Sequence, residues 1–157
     1  MGISAVLKPR IDRMMDFPLT QVLAGLALAT TFGGMTFFSG VMAPLIFTKL
    51  PLETAGTFMR HVFPWYYLAM GMTTLVSLAM LLISGDRGWP AILTGVALAG
   101  FVYARQGLMP CINEARDSDL QGDPKAARRF KALHRLSVVL NGLQWLAVLT
   151  ALVLVLR

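Results

Sequence analysis

Leu136-SVVLNGLQWLAVLTALVLV-Leu156 is an apolar run without a charged residue, and its reading decides the fold. A helix needs about 20 such residues to cross about 30 Å of hydrocarbon. Working back along the chain, roughly Pro18–Met42, Val62–Ser84 and Pro90–Met109 have the same length and character, and nearly every charge lies in the gaps between them. The pattern predicts an all-α, polytopic membrane protein, with four transmembrane helices in one antiparallel bundle over residues 1–157. Between the first two spans, Leu52–His61 carries an apolar face of Leu52, Ala55, Phe58 and Met59 and reads as a short interfacial helix.

Composition supports the membrane reading. Of the residues, 56% are hydrophobic and 14% charged, against about 25% charged in soluble domains. Met1–Phe17 carries Lys8, Arg10 and Arg13, but the apolar run that follows is span-length and lacks a clear small-residue cleavage site, so the first span is expected to stay as a helix. Cys111 is the single cysteine, which excludes an internal disulfide or a multi-thiolate metal site within one chain. The ten Met residues are scattered along the chain, and no metal site is expected.

The net charge of +6 comes from bases that flank spans. They form no groove with interleaved aromatics, so nucleic acid is not expected as a partner. Lys8, Arg10, Arg13, Arg87 and Arg157 fall on the side of both termini; Lys49, Arg60, Arg105, Arg116, Lys125, Arg128, Arg129, Lys131 and Arg135 fall on the other. The positive-inside rule then places both termini outside the cytoplasm, with the basic segment 125–135 against anionic headgroups. Phe63-Pro-Trp-Tyr-Tyr67 reads as an aromatic belt at the membrane surface.

Chemistry is sparse. His134, Ser137, Asn141 and Gln144 share one helical face, which in lipid must look toward protein or water. Tyr103, Gln106, Asn113 and Asp117 follow the same spacing on the third span, with Pro110 kinking the helix between them. Arg60 and His61 arrive at the same end. The expectation is a polar pocket near one membrane face, lined by Arg60, His61, Tyr103, Gln106, Asn113, Arg116, Asp117, His134, Ser137 and Asn141. Polar residues in membrane helices also act purely as interhelical hydrogen bonds. Two histidines raise an alternative, haem b held by His61 and His134 in a membrane redox protein. No hydrolase, zinc-protease or phosphate-loop motif is present, and no catalytic residue is assigned. An accessory subunit or a small-solute transport or resistance factor is the leading expectation, packed with itself or within a larger complex of a bacterial-type inner membrane.

Several runs carry a family resemblance: Gly33-GMTFFSGVMA-Pro44, Phe47-x-x-Leu-Pro51, Phe63-Pro-Trp-Tyr66, Asn113-x-x-Arg-Asp117 and Phe130-x-x-Leu-His134-x-x-Ser137-x-x-x-Asn141. In that order they resemble the membrane-protein family of domain of unknown function 4149, which is similar to transmembrane-protein-205-like proteins. The resemblance implies four membrane helices and no established activity. It marks Phe37, Pro44, Pro51, Pro64, Asn113, Arg116, Asp117, His134, Ser137 and Asn141 without assigning them roles.

Overall fold

A computed structural model describes residues 19–157. Four long helices account for nearly all of them: α1 (Leu19–Lys49), α2 (Leu52–Ile83), α3 (Trp89–Leu120) and α4 (Pro124–Val155). Each is apolar enough to cross a membrane, and the protein is a multi-pass membrane protein. At 32 residues, α2, α3 and α4 are each about 48 Å long, so their ends project beyond about 30 Å of hydrocarbon. Lys8, Arg10, Arg13 and Pro18 lie outside the described residues.

Proline, glycine and aspartate set the helix ends. Pro51 precedes α2, Pro90 sits in the first turn of α3, and Asp123 caps α4 by accepting from the Lys125 N–H at 2.8 Å. Gly85 and Gly122 take positive φ, 82° and 89°, in the two connections that follow α2 and α3.

The connections are tighter than the sequence pattern predicts. Leu52–His61 is not a separate interfacial helix; it is the first three turns of α2, which continues through Pro64. Only Leu50 and Pro51 separate α1 from α2. In the same way, α3 continues past Pro110 to Leu120, so the third connection is Gln121–Asp123.

Two helices contain a π turn, Phe38–Met42 in α1 and Ala104–Leu108 in α3. Each closes with an i−5 bond, Ala43 N–H to Phe38 O and Met109 N–H to Ala104 O, immediately before Pro44 and Pro110. A proline inside a helix lacks an N–H and crowds the carbonyl four residues back. Widening the preceding turn relieves that contact while keeping the helix continuous.

Lipid tails are as apolar as leucine, so helices in a bilayer associate through close packing and hydrogen bonds rather than hydrophobic burial. The bundle's centre fits that rule. Leu28, Met35, Ala97, Phe101, Val148 and Ala151 are buried there. The Thr31 and Thr73 hydroxyls meet at 2.7 Å, and Ser77 donates to the Ala24 carbonyl at 3.1 Å, both tying α1 to α2. Gly34 lies under the Met70 thioether and Gly100 under the Gln144 amide, each closer than a Cβ would allow. Gly33, Gly40 and Gly95 have open space instead.

Candidate functional site

At the basic end of the bundle, where α1 meets α2 and α3 meets α4, the helices part around a cleft. One chamber of about 360 Å³ lies among α2, α3 and α4. A second, of about 620 Å³, lies between α1, α2 and α4. Phe47, Met59, Phe63, Tyr67, His134 and Ser137 line both, so the chambers form one continuous cleft. Its size falls within the range of about 300–1,000 Å³ typical of ligand pockets.

α2 supplies one wall. Gly56, Met59, Arg60, Phe63 and Tyr67 lie at i, i+3, i+4, i+7 and i+11, a single helical face. The face runs unbroken because 52–83 is one helix, and a boundary at His61, which the amphipathic pattern suggests, hides it. The aromatic group is accordingly a wall more than a belt. Tyr66 and Tyr67 are buried, Phe38 stacks on Tyr66 with ring centroids 4.5 Å apart, and Phe63 stacks on Tyr67 at 5.6 Å. Trp65 alone of the run is strongly exposed, at 73%.

α4 supplies the facing side through His134, Ser137 and Asn141. Asn141 is held from two helices: its Oδ1 accepts from the Tyr66 hydroxyl at 3.3 Å, and its Nδ2 donates to Ser39 Oγ at 3.3 Å. One turn on, the Trp145 indole donates to Thr36 Oγ1 at 2.9 Å. Ser137 spends its hydroxyl on the His134 carbonyl at 2.7 Å, and the His134 ring stacks on Phe130. From the sequence, Thr36, Ser39, Tyr66 and Tyr67 have no place in the pocket: the tyrosines read there as part of a surface belt, and the hydroxyls of Thr36 and Ser39 are isolated in an apolar span.

α3 brings Asn113 and Arg116 to the first chamber. Asp117 turns to α2 and accepts a two-pronged ion pair from Arg60, at 2.7 and 2.8 Å. Arg129 and Glu114 join α4 to α3 at 3.2 Å. Arg105 donates from Nε to the Pro64 carbonyl at 3.2 Å.

Four residues expected in the pocket line neither chamber, Asp117 among them because its carboxylate is turned to Arg60. Tyr103 and Gln106 are exposed and line neither chamber. The π turn at Ala104–Leu108 adds a residue to the helical circuit, rotating everything after it by about 100°. Tyr103 before the turn and Gln106 within it therefore do not share a face with Asn113 and Arg116. His61 is also exposed, its Nδ1–H donating to the Thr57 carbonyl at 2.8 Å. His61 and His134 consequently do not border a common cavity. Among the described residues no group of three or more His, Cys, Asp or Glu comes together as a metal site.

No curated protein and no solved structure matches the chain. A family model, described as domain of unknown function (DUF4149), matches residues 26–120, which takes in most of α1, all of α2 and α3, and the cleft residues Arg60, Asn113 and Arg116. His134, Ser137 and Asn141 lie beyond the matched stretch. With more than half of its length covered, the chain belongs to the DUF4149 family.

Proposed function

We infer that the protein is a membrane-embedded binding module for a small organic solute, acting as an accessory subunit or a transport or resistance factor without covalent chemistry of its own. The observation that carries this reading is the cleft: largely apolar walls with a few placed polar groups, Asn113, Arg116 and Asn141, at the basic end. Apolar walls with few convergent polar groups are what solute pockets have in common. Four helices leave little room for a full pathway, so association with further copies or a larger membrane complex is part of the proposal.

Asn141 tests it. Interhelical hydrogen bonds of this kind average about 0.6 kcal/mol, so Asn141→Leu is expected to fold and assemble normally in detergent. If the cleft handles a solute, the same variant loses flux in proteoliposomes or the resistance that the wild-type gene confers. A variant that instead breaks up the bundle or its oligomer would make the stripe a structural device and remove the solute reading.

The haem alternative has a direct check. Purified protein is expected to show no Soret band, since His61 faces away from the cleft that His134 borders. A Soret band lost in both His61→Ala and His134→Ala would overturn that expectation.

A further inference from the structure

Of the two cleft guanidiniums, Arg116 is the one that forms no ion pair among the described residues; its charge reaches the Asp117 carboxylate only through space, while Arg60 holds that carboxylate directly. Arg60 is committed to Asp117 and Arg129 to Glu114, whereas Arg116 donates no hydrogen bond to a described residue. Asp119 also borders this chamber and forms no ion pair with it. The Arg116 side chain is nonetheless partly buried and well seated: its guanidinium occupies the space that a side chain at Gly56 would take. A half-buried cation facing an apolar cavity calls for an anion.

From that charge the cleft runs toward the bilayer. The second chamber reaches Gly40 in the π turn of α1 and Gly142 of α4, and a Cβ at either would meet nothing within 4 Å. Small residues on both sides leave the α1–α4 seam open sideways, with Trp145 at its far end. The two features together describe an occupant with an anionic head and an apolar tail.

Resting on the reading of the cleft as a ligand site, we propose that it takes an anionic phospholipid laterally from the bilayer, with the headgroup phosphate on Arg116 and one acyl chain along the α1–α4 seam. Gly56 is a positioning residue for that headgroup, because it alone makes room for the guanidinium.

Trp145 can report the chain. In a Trp65→Phe, Trp89→Phe background it is the remaining tryptophan, so its fluorescence reads bromine on an acyl chain in the seam. The protein is reconstituted in phosphatidylcholine vesicles containing dibrominated phosphatidylglycerol, and in the inverse mixture with the bromine on phosphatidylcholine. Brominated phosphatidylglycerol is expected to quench Trp145 at least threefold more effectively at equal mole fraction. Arg116→Gln should abolish that preference, Arg116→Lys should keep most of it, and Gly56→Ala should weaken it by displacing the guanidinium. Arg128→Gln, an exposed base on α4 outside both chambers, serves as a control for general surface attraction and should leave the preference unchanged. Gly142→Leu, which has space to fold, should reduce quenching by either lipid.

Equal quenching by the two lipids, or a preference that survives in Arg116→Gln or falls equally in Arg128→Gln, overturns the headgroup assignment while leaving a ligand cleft. Quenching by neither lipid, unchanged in Gly142→Leu, would overturn both the proposal and the open cleft on which it rests.

Discussion

Gln144 shows how narrowly polar side chains are balanced in this bundle. It is 3% exposed, and its Nε2 donates to the Ala97 carbonyl at 3.2 Å, but its Oε1 has no partner among the described residues. An interhelical bond brings about 0.6 kcal/mol on average, whereas a buried, unpaired acceptor costs about 1–3 kcal/mol. The penalty is the larger. Gln144→Met keeps an unbranched chain of similar length over Gly100 and removes the orphan oxygen, so it should leave unfolding stability unchanged or raise it by about 1 kcal/mol. An unfolding titration in mixed detergent micelles measures this; a clear loss of stability would mean that Oε1 is satisfied by a bound water. Gly100→Val should move the other way, since even a Cβ there would meet the Gln144 amide nitrogen at 2.9 Å. The sequence places Gln144 on one stripe with His134, Ser137 and Asn141, which is correct as a helical face. It does not reveal that the stripe passes from the cleft into the packed interior between Asn141 and Gln144, because that depends on where Gly100 of another helix comes close.

At the scale of elements, the two π turns decide which residues reach the cleft. Both sit just before a proline, in Gly40-Val-Met-Ala-Pro44 and Gly107-Leu-Met-Pro110, and both occur in the helices that run toward the basic end. Pro110 was legible as a disturbance of α3, but its mechanism was not. A kink bends a helix and keeps side chains in phase, whereas a π turn inserts a residue and shifts the phase. That difference separates Tyr103 and Gln106 from Asn113 and Arg116. Pro110→Ala restores an N–H and removes the ring, so the segment should relax to a regular α-helix and rotate the end of α3 by about 100°. The Arg60–Asp117 pair is then out of register. With cysteines at 60 and 117 and Cys111→Ser, a short bismaleimide should join α2 to α3 readily with Pro110 present and several-fold more slowly in Pro110→Ala. Equal rates in the two backgrounds would show that the π turn is held by packing around Ala104 and Leu108, both buried, rather than by the proline.

For the whole molecule, length and hydropathy were enough to find four spans, because a helix in lipid advertises itself by composition and needs no particular partner. The joins were harder to read. Leu52–His61 has the amphipathic character of a surface helix, yet Ala55 and Met59 are buried against Ile46 at the end of α1, which makes that segment part of the bundle. Extending α2 and α3 past the hydrocarbon gathers Lys49, Arg60, Arg116, Arg128, Arg129 and Lys131 at one end, while Arg87 and Arg157 are the described bases at the other. Retention of such a basic end in the cytoplasm is the general rule for membrane insertion. It is opposed by Arg87, Arg157 and, ahead of the first span, Lys8, Arg10 and Arg13, so orientation is a contest between an early, small cluster and a later, larger one. The larger cluster is expected to prevail, putting both termini outside the cytoplasm. A reporter active only in the cytoplasm should therefore work when fused after Leu120 and fail after Arg157, and a reporter active only outside should give the reverse. If instead the early cluster dominates, both readouts invert, and replacing Lys8, Arg10 and Arg13 with Gln should turn the protein over. Arg116 would then face the outer leaflet, so the same fusions also say from which leaflet the cleft draws an anionic head.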